Sequence, residues 1–304
     1  MKVWSHTISY HHIIFLFVFF LTDYFKSSNA ARRLKRKTFV RIKHDTNVRQ
    51  FSPQGEIQQI QYANEAIKKG NLLIGVVAKD GVVMIAEKAS QSALFVRPCL
   101  PKLNAVGTVC GVGLAGLLPD GRMLVQKARE IVQDHWFQFG EQVGVEKLIM
   151  LLSQLVQKFH GFDEDEAENS NEERENEDET LSRPVGVAVM LAGLDHNNRY
   201  ALYLLEPSGA FLRWKAKAIG FGSDVFELKL AATEWSSMTV EEAKYNLLVL
   251  LKNHFEDEDF SSKKLEIATL DKNKERKNES ELRFITFSES QIQESINSCH
   301  KEKQ

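Results

Sequence analysis

Residues 111–116 read GVGLAG, the GxGxxG spacing with which a glycine-rich turn presents backbone amides to a pyrophosphate at a helix N-terminus. A nucleotide-binding enzyme is therefore one function class that the chain raises. Two features oppose it. The helix expected next is followed by another helix, not by a parallel strand. No acidic residue ends a second strand about 20 positions on, where a ribose contact belongs. Small residues packing under a helix account for the same six positions. His135 lies between Asp134 and Trp136, but neighbours on one helix point in different directions, so a helix-end packing role is expected. There is no GxSxG elbow and no Cys beside a plausible His relay. Cys99, Cys110 and Cys299 have no metal-ligand spacing and give no disulfide framework; they read as free thiols. The histidines form no HExxH or Cys/His pattern, so no metal site and no cofactor is expected. What remains is Asn71, at the head of GNLLIGVVAKDGVVMIAEK (70–88), where Asp80-Gly81 between two apolar runs predicts a hairpin.

The elements around it read as follows. Ile57, Ile60, Ala63 and Ile67 give a loose helical face that Lys68, Lys69 and Gly70 stop, and Pro53 and Gly55 turn the chain into it. The hairpin occupies 72–87 and a strand-like segment 105–116. Pro119-Asp120-Gly121 reads as a breaker before a helix marked by Leu124, Ala128, Ile131, Val132 and Trp136. Val145, Leu148, Ile149, Leu152, Leu155, Val156 and Phe159 fall on one face of a second helix. Residues 185–220 predict three strands, with helices around 223–235 and 239–253, short strands at 265–270 and 283–287, and a polar helix at the end. Runs of strands separated by helix pairs favour an α+β fold: two stacked antiparallel sheets between two helical layers.

Hydrophobic residues are 43% and charged residues 26% of the 304, ordinary for a globular protein. Residues 163–179 carry eleven acidic residues against Arg174 alone, a net of −10 that leaves the rest of the chain at +8. Such a block repels itself and buries nothing apolar, so it reads as a solvated internal loop. At the N-terminus, one early Lys, the apolar run Ile13–Leu21 and small residues ending at Ala30 look like a secretory signal peptide, with the basic cluster RRLKRK at 32–37 behind it. The run is short of the roughly 20 residues a transmembrane span needs. No membrane partner is expected unless this segment is retained, and no nucleic-acid partner is expected.

FSPQGEIQQIQYANEAIKKG (51–70) resembles the N-terminal signature of the proteasome α-subunits, F-S-P-x-G-R-L-x-Q-V-E-Y-A followed by E-A-I/V-K-x-G. GVVAKDGVVMIAEK, QDHWF, SRPVGVAVMLAG, EPSGAF and AKAIGFGS are further matching blocks in the same order, and QDHWF, SRPVGVAVMLAG and MTVEEA look most like the type-5 group of that family. The resemblance implies a four-layer αββα N-terminal-nucleophile hydrolase fold over 44–304, with 163–179 as an acidic insertion and 1–43 as an N-terminal extension. In the family's catalytic β-subunits a processed Thr starts the first strand and its own free amine supplies the base. That slot is Asn71 here, whose amide cannot serve as nucleophile; Glu87 occupies the slot of the acidic residue, and Lys102 lies within one position of the catalytic Lys. The implied role is a non-catalytic subunit of a seven-membered α-ring stacked on β-subunits, contributing to assembly, pore gating and activator docking for ubiquitin-dependent degradation.

The resemblance also implies two sites. Lys102 in CLPKL, with Gly70, matches the pocket that captures an activator's C-terminal carboxylate. Asp45, Pro53 and Tyr62 match three of the four positions that cluster in the family's open gate; the fourth, a Tyr in the family, is His44. Thr46 and Glu56 each stand where the family has Arg, and an imidazole at 44 titrates near pH 6.5, so a weakened or pH-sensitive gate contribution is expected. The family's home is cytosolic and nuclear, which the signal-like extension opposes. A relocated, non-proteasomal binding module on the same fold is the alternative, separable from a ring subunit by whether the outward faces still assemble.

Overall fold

The computed structural model describes residue 48, residues 50–88, 101–160, 183–253, 255, 260–272 and 282–301. Residues 1–43, Cys99 and the acidic block 163–179 lie outside these, as do His44 and Asp45. The chain divides after Gln58 into a short first unit and a second unit, Gln59–Gln304. In the first, the turn expected at Pro53 and Gly55 closes on itself. Ser52 N–H donates to Glu56 O at 2.8 Å, Gly55 N–H donates to Ser52 O at 2.9 Å, and Ser52 Oγ accepts from Glu56 N–H at 3.2 Å. Gly55 takes φ +81° there, a conformation costly to a residue with a Cβ.

The hairpin predicted on Asp80-Gly81 is β1 (Leu73–Val77) and β2 (Gly81–Glu87), preceded by α1 (Gln58–Lys68). Then come β3 (Leu103–Ala105), β4 (Gly111–Gly116), α2 (Leu118–Phe139), α3 (Val145–Lys158), β5 (Val187–Leu194), β6 (Tyr200–Leu205), β7 (Phe211–Trp214) and β8 (Ala216–Ile219). The chain continues as α4 (Ser223–Ala231), a 3₁₀ turn at Trp235–Ser237, α5 (Val240–Lys252), β9 (Leu265–Lys272), β10 (Leu282–Thr286) and α6 (Glu289–Lys301). Two five-stranded sheets result, ordered β10-β9-β2-β1-β8 and β3-β4-β5-β6-β7, with every neighbouring pair antiparallel.

Alternation along each strand builds the layers. In β5, Val187, Val189 and Leu191 face α2 and α3, whereas Ala188, Met190 and Ala192 face the other sheet. In β2, Val83 and Ile85 meet Leu247, Leu248 and Phe226 of the opposite helical layer, and Val82, Met84 and Ala86 enter the space between sheets. Three apolar clusters therefore stack as helix to sheet, sheet to sheet, and sheet to helix, the four-layer arrangement expected. Burial on both faces explains why these strands read as unbroken apolar runs. Helix α5 starts with a capping box, in which Thr239 Oγ1 accepts from Glu242 N–H and the Glu242 carboxylate accepts from Thr239 N–H.

Two local readings change and one is kept. GVGLAG is β4, within the strand-like segment expected and not a phosphate-binding turn, and it pairs on both sides, with β3 and β5. A Cβ at Gly113 would lie 2.6 Å from Met84 Cε and 2.8 Å from Leu73 Cδ2, so the small residue lets the sheets close up and offers no amides to a phosphate. Pro119-Asp120-Gly121 does not precede α2 but forms its first turn, where proline is tolerated because its missing N–H would have no intrahelical partner. Finally, 185–220 holds four strands, because the third expected strand splits at Lys215. β7 closes one sheet and β8 the other, and Val77 N–H donates to Lys215 O at 2.8 Å.

Asp120 fastens the entry of β5. Its carboxylate accepts from both Arg183 terminal nitrogens at 2.7 and 2.9 Å and from Gly186 N–H at 2.9 Å. Burial pulls the Asp120 carboxyl upward, but the Arg183 and Gly186 hydrogen bonds outweigh it and hold its pKa below the usual range. A depressed carboxyl contributes stability that is complete above the unfolded value, about 3.9, and is lost as pH falls through the folded one. Asp120→Asn is therefore expected to lower the melting temperature at pH 6 to 8 and to match wild type increasingly closely below pH about 3.5. Melting curves of the two chains across that range test this.

Candidate functional site

Where β1 begins, β2 ends and β3 begins, one ammonium group holds the three ends together. Lys102 is 4% exposed. Its Nζ donates to Asn71 O at 2.8 Å, Leu72 O at 3.2 Å and Glu87 O at 3.2 Å. An ammonium has three N–H donors and all three are used on backbone carbonyls. The main chain beside it is held from a fourth strand, because Glu266 Oε2 on β9 accepts from Lys102 N–H at 2.9 Å and Leu103 N–H at 3.0 Å. Glu87 N–H donates to Leu72 O at 2.8 Å, and Leu72 N–H lies 3.4 Å from Glu87 Oε2. Burial lowers the Lys102 pKa to about 8 against the opposing pull of Glu87 and Glu266.

Asn71 lies at the centre of this arrangement, and its type decides the chemistry open to it. Asn71 presents a carbonyl to Lys102, not a hydroxyl. The chain also runs without a break from α1 through Gly70 into β1. Gly70 is joined to Asn71 by a peptide bond, so the slot carries an amide nitrogen and no free amine to act as base. Here the ammonium ties strands together.

Gly70 is confined by backbone on two sides. A Cβ there would lie 2.5 Å from Gly116 N and 2.8 Å from Gly116 Cα, and Gly70 O accepts from Phe221 N–H at 2.7 Å. Gly220, at φ +99°, closes the other flank, with Asn71 O 2.6 Å from where its Cβ would stand. Gly70 precedes Asn71 and Lys102 donates to the Asn71 carbonyl, so the two residues expected to form a docking pocket are close together, with the lysine facing inward. A carboxylate can meet Lys102 only by displacing one of its three carbonyls. Sequence reasoning missed Glu266, which stands far along the chain and carries no local signal. It also missed the exposed Leu117 and Phe221 that border the Gly70 turn.

Of the gate positions, Pro53 is exposed in the turn of the first unit and Tyr62 is half-exposed on α1, while His44 and Asp45 lie outside the described residues. His135 closes the end of α2, with Nδ1 3.1 Å from Glu141 O and its ring 4.7 Å from that of Phe139. Among the described residues no group of three His, Cys, Asp or Glu is placed to hold a metal ion, and no helix is long and apolar enough to cross a membrane.

The proteasome subunit family model matches residues 67–164 and 177–270. A probable proteasome subunit alpha type-5 of Schizosaccharomyces pombe is 36% identical over 228 residues, covering 75% of this chain and 87% of that protein. Proteasome subunit alpha type-5 of Caenorhabditis elegans is 36% identical over 217 residues, 71% of this chain and 82% of the relative. The protein of the same name in Drosophila melanogaster is 32% identical over 256 residues, 84% of this chain and 97% of the relative.

The buried ammonium makes stability depend on pH. Its folded pKa, about 8, lies below the unfolded value of about 10.4, so between them the unfolded chain binds more protons and stability rises with pH. The rise amounts to about 3 kcal/mol across that window. Lys102→Met is expected to lose this rise and, with carbonyls left unpaired, to be less stable at pH 7 by about 2 to 4 kcal/mol. Denaturant unfolding of both chains from pH 7 to 10.5 measures it; parallel pH profiles would refute it.

Proposed function

The chain belongs to the proteasome subunit family, and on that premise we propose that it works in the outer seven-membered ring of a 20S core particle, serving ring assembly, gating of the pore and docking of activators. It is a non-catalytic α-type subunit. The observation that carries this is Asn71, which lacks a nucleophilic group, lies mid-chain, and gives its carbonyl to the one cation that could have activated a nucleophile. Its partners are other proteasome subunits, α and β; their work is protein degradation, and the ubiquitin-dependent route in cytoplasm and nucleus is the setting we propose.

Docking of an activator's C-terminal carboxylate at Gly70 and Lys102 belongs to the same proposal. It requires the ammonium to exchange one carbonyl for the incoming carboxylate, a like-for-like replacement of acceptors that strengthens as the anion arrives. Gating would use His44, Asp45, Pro53 and Tyr62, with the imidazole at 44 bringing sensitivity near pH 6.5.

A C-terminally tagged chain, purified gently, is expected to elute with homologous α- and β-subunits and with peptidase activity that a Thr-directed inhibitor abolishes. A small species trimmed after Ala30 and free of β-subunits would replace this reading with that of a relocated binding module. In assembled particles Lys102→Met is expected to weaken activator stimulation about tenfold or more, as loss of a charge-assisted anchor does. Unchanged stimulation by intact particles would remove Lys102 from the docking site without touching the assignment of the subunit.

A further inference from the structure

One acidic residue stands where the strand pattern calls for an apolar one. Along β9, Leu265 and Ile267 face the helical layer, while Ala268 and Leu270 lie between the sheets. Period-two alternation puts Glu266 on the inter-sheet face with them. Its partner in register is Ala86 on β2, itself part of that layer. A half-buried carboxylate is costly there unless its oxygens are bonded. One of them, Oε2, accepts from the first two amides at the head of β3, Lys102 N–H at 2.9 Å and Leu103 N–H at 3.0 Å.

These bonds reach from one sheet to the other and fix where the Lys102 side chain starts. Lys102 O accepts from Leu114 N–H on β4 at 3.0 Å, so both main-chain groups of the residue are held. Its ammonium is spent on Asn71 O, Leu72 O and Glu87 O, all of them uncharged acceptors. Carbonyls meet the donors of an ammonium without neutralising it. Burial favours loss of its proton, and the two carboxylates that oppose this are Glu87 at the end of β2, with the larger pull, and Glu266 on β9. The Glu87 carboxylate makes a 3.4 Å contact with Leu72 N–H. Of the two, Glu266 is the one whose carboxylate also bonds the Lys102 main chain.

We propose that Glu266 is a positioning residue of the Gly70–Lys102 docking site, placing Lys102 through its amide and keeping its ammonium in the charged form that captures a carboxylate. This role rests on the docking reading given above and adds its regulation: capture is steady at neutral pH and fails in mild alkali. Burial brings the Lys102 pKa down to about 8. A neutral amine offers a carboxylate no charge-assisted bond, so affinity for a tail falls as pH rises through that value.

Glu266→Gln tests this, because an amide oxygen can still accept from both N–H groups and only the charge is lost. Denaturant unfolding of the full-length chain reads Lys102 without any activator. In wild type, stability begins to rise near pH 8. In Glu266→Gln the rise is expected to begin about one pH unit lower, the scale of one lost opposite charge. A purely structural role would move the whole profile in parallel, and an unshifted onset would overturn the proposal. In assembled particles, the second readout is anisotropy of a fluorescein-labelled decapeptide from an activator's C-terminus, its carboxylate free or amidated, from pH 6.5 to 9.5. The binding that Lys102→Met removes is expected to be nearly equal in wild type and Glu266→Gln at pH 6.5 and about fivefold weaker in the variant at pH 8. Undiminished binding by Lys102→Met particles would remove the docking reading and this role with it. A Lys102-dependent component with the wild-type pH profile in Glu266→Gln would overturn the part of Glu266 alone. Where the variant does not accumulate, wild-type particles carry the test, since a Lys102-dependent affinity unchanged from pH 7 to 9.5 would also overturn it.

Discussion

A single buried cation governs how the two sheets meet. Lys102 sits at the head of β3 in one sheet and spends its ammonium on the ends of β1 and β2 in the other. Glu266 on β9 completes the hold from the main-chain side. Taking an ammonium out of water is costly unless every donor is met, and here the fold meets all three with carbonyls at the strand ends. The glycines around it follow from the same constraint. Gly70, Gly116 and Gly220 are small because backbones must pass within contact distance of one another where these strand ends converge.

That convergence also gives the charged residues around Asn71 a role that needs no catalysis. The Glu87 carboxylate and the Lys102 ammonium hold the backbone at the start of β1, and removing either would loosen a strand end. Asn71 contributes a main-chain carbonyl that any residue could supply.

How much of this the sequence disclosed depends on how local each determinant is. The β1–β2 hairpin was legible because Asp80-Gly81 is a short-range turn signal, and α3 because Val145, Leu148, Ile149 and Leu152 repeat at helical period. The nucleophile slot was legible through family likeness. The split at Lys215 was not, because a strand that changes sheets keeps an extended backbone and an unbroken pattern. GVGLAG was ambiguous for a related reason: a glycine that admits a side chain from an opposing sheet has the same letter as one that admits a phosphate. Burial of Lys102 was equally hidden, since its acceptors are backbone carbonyls brought together by long-range pairing, and no side chain announces a carbonyl.

The passage from β7 to β8 has a consequence for how the chain reaches this state. The register pairs Leu73 with Ile219 and Gly81 with Asp271, so the sheet that begins with β1 and β2 waits for strands from far downstream. Its β8 comes joined to the strand that closes the other sheet, with only Lys215 between. During synthesis the first hairpin therefore emerges with both outer edges open, and it keeps them open until the second sheet is nearly built. Closure of the second sheet and arrival of β8 on the first are thus coupled, while the β2 edge waits longer still, for β9. Until then the nascent chain exposes apolar strand edges.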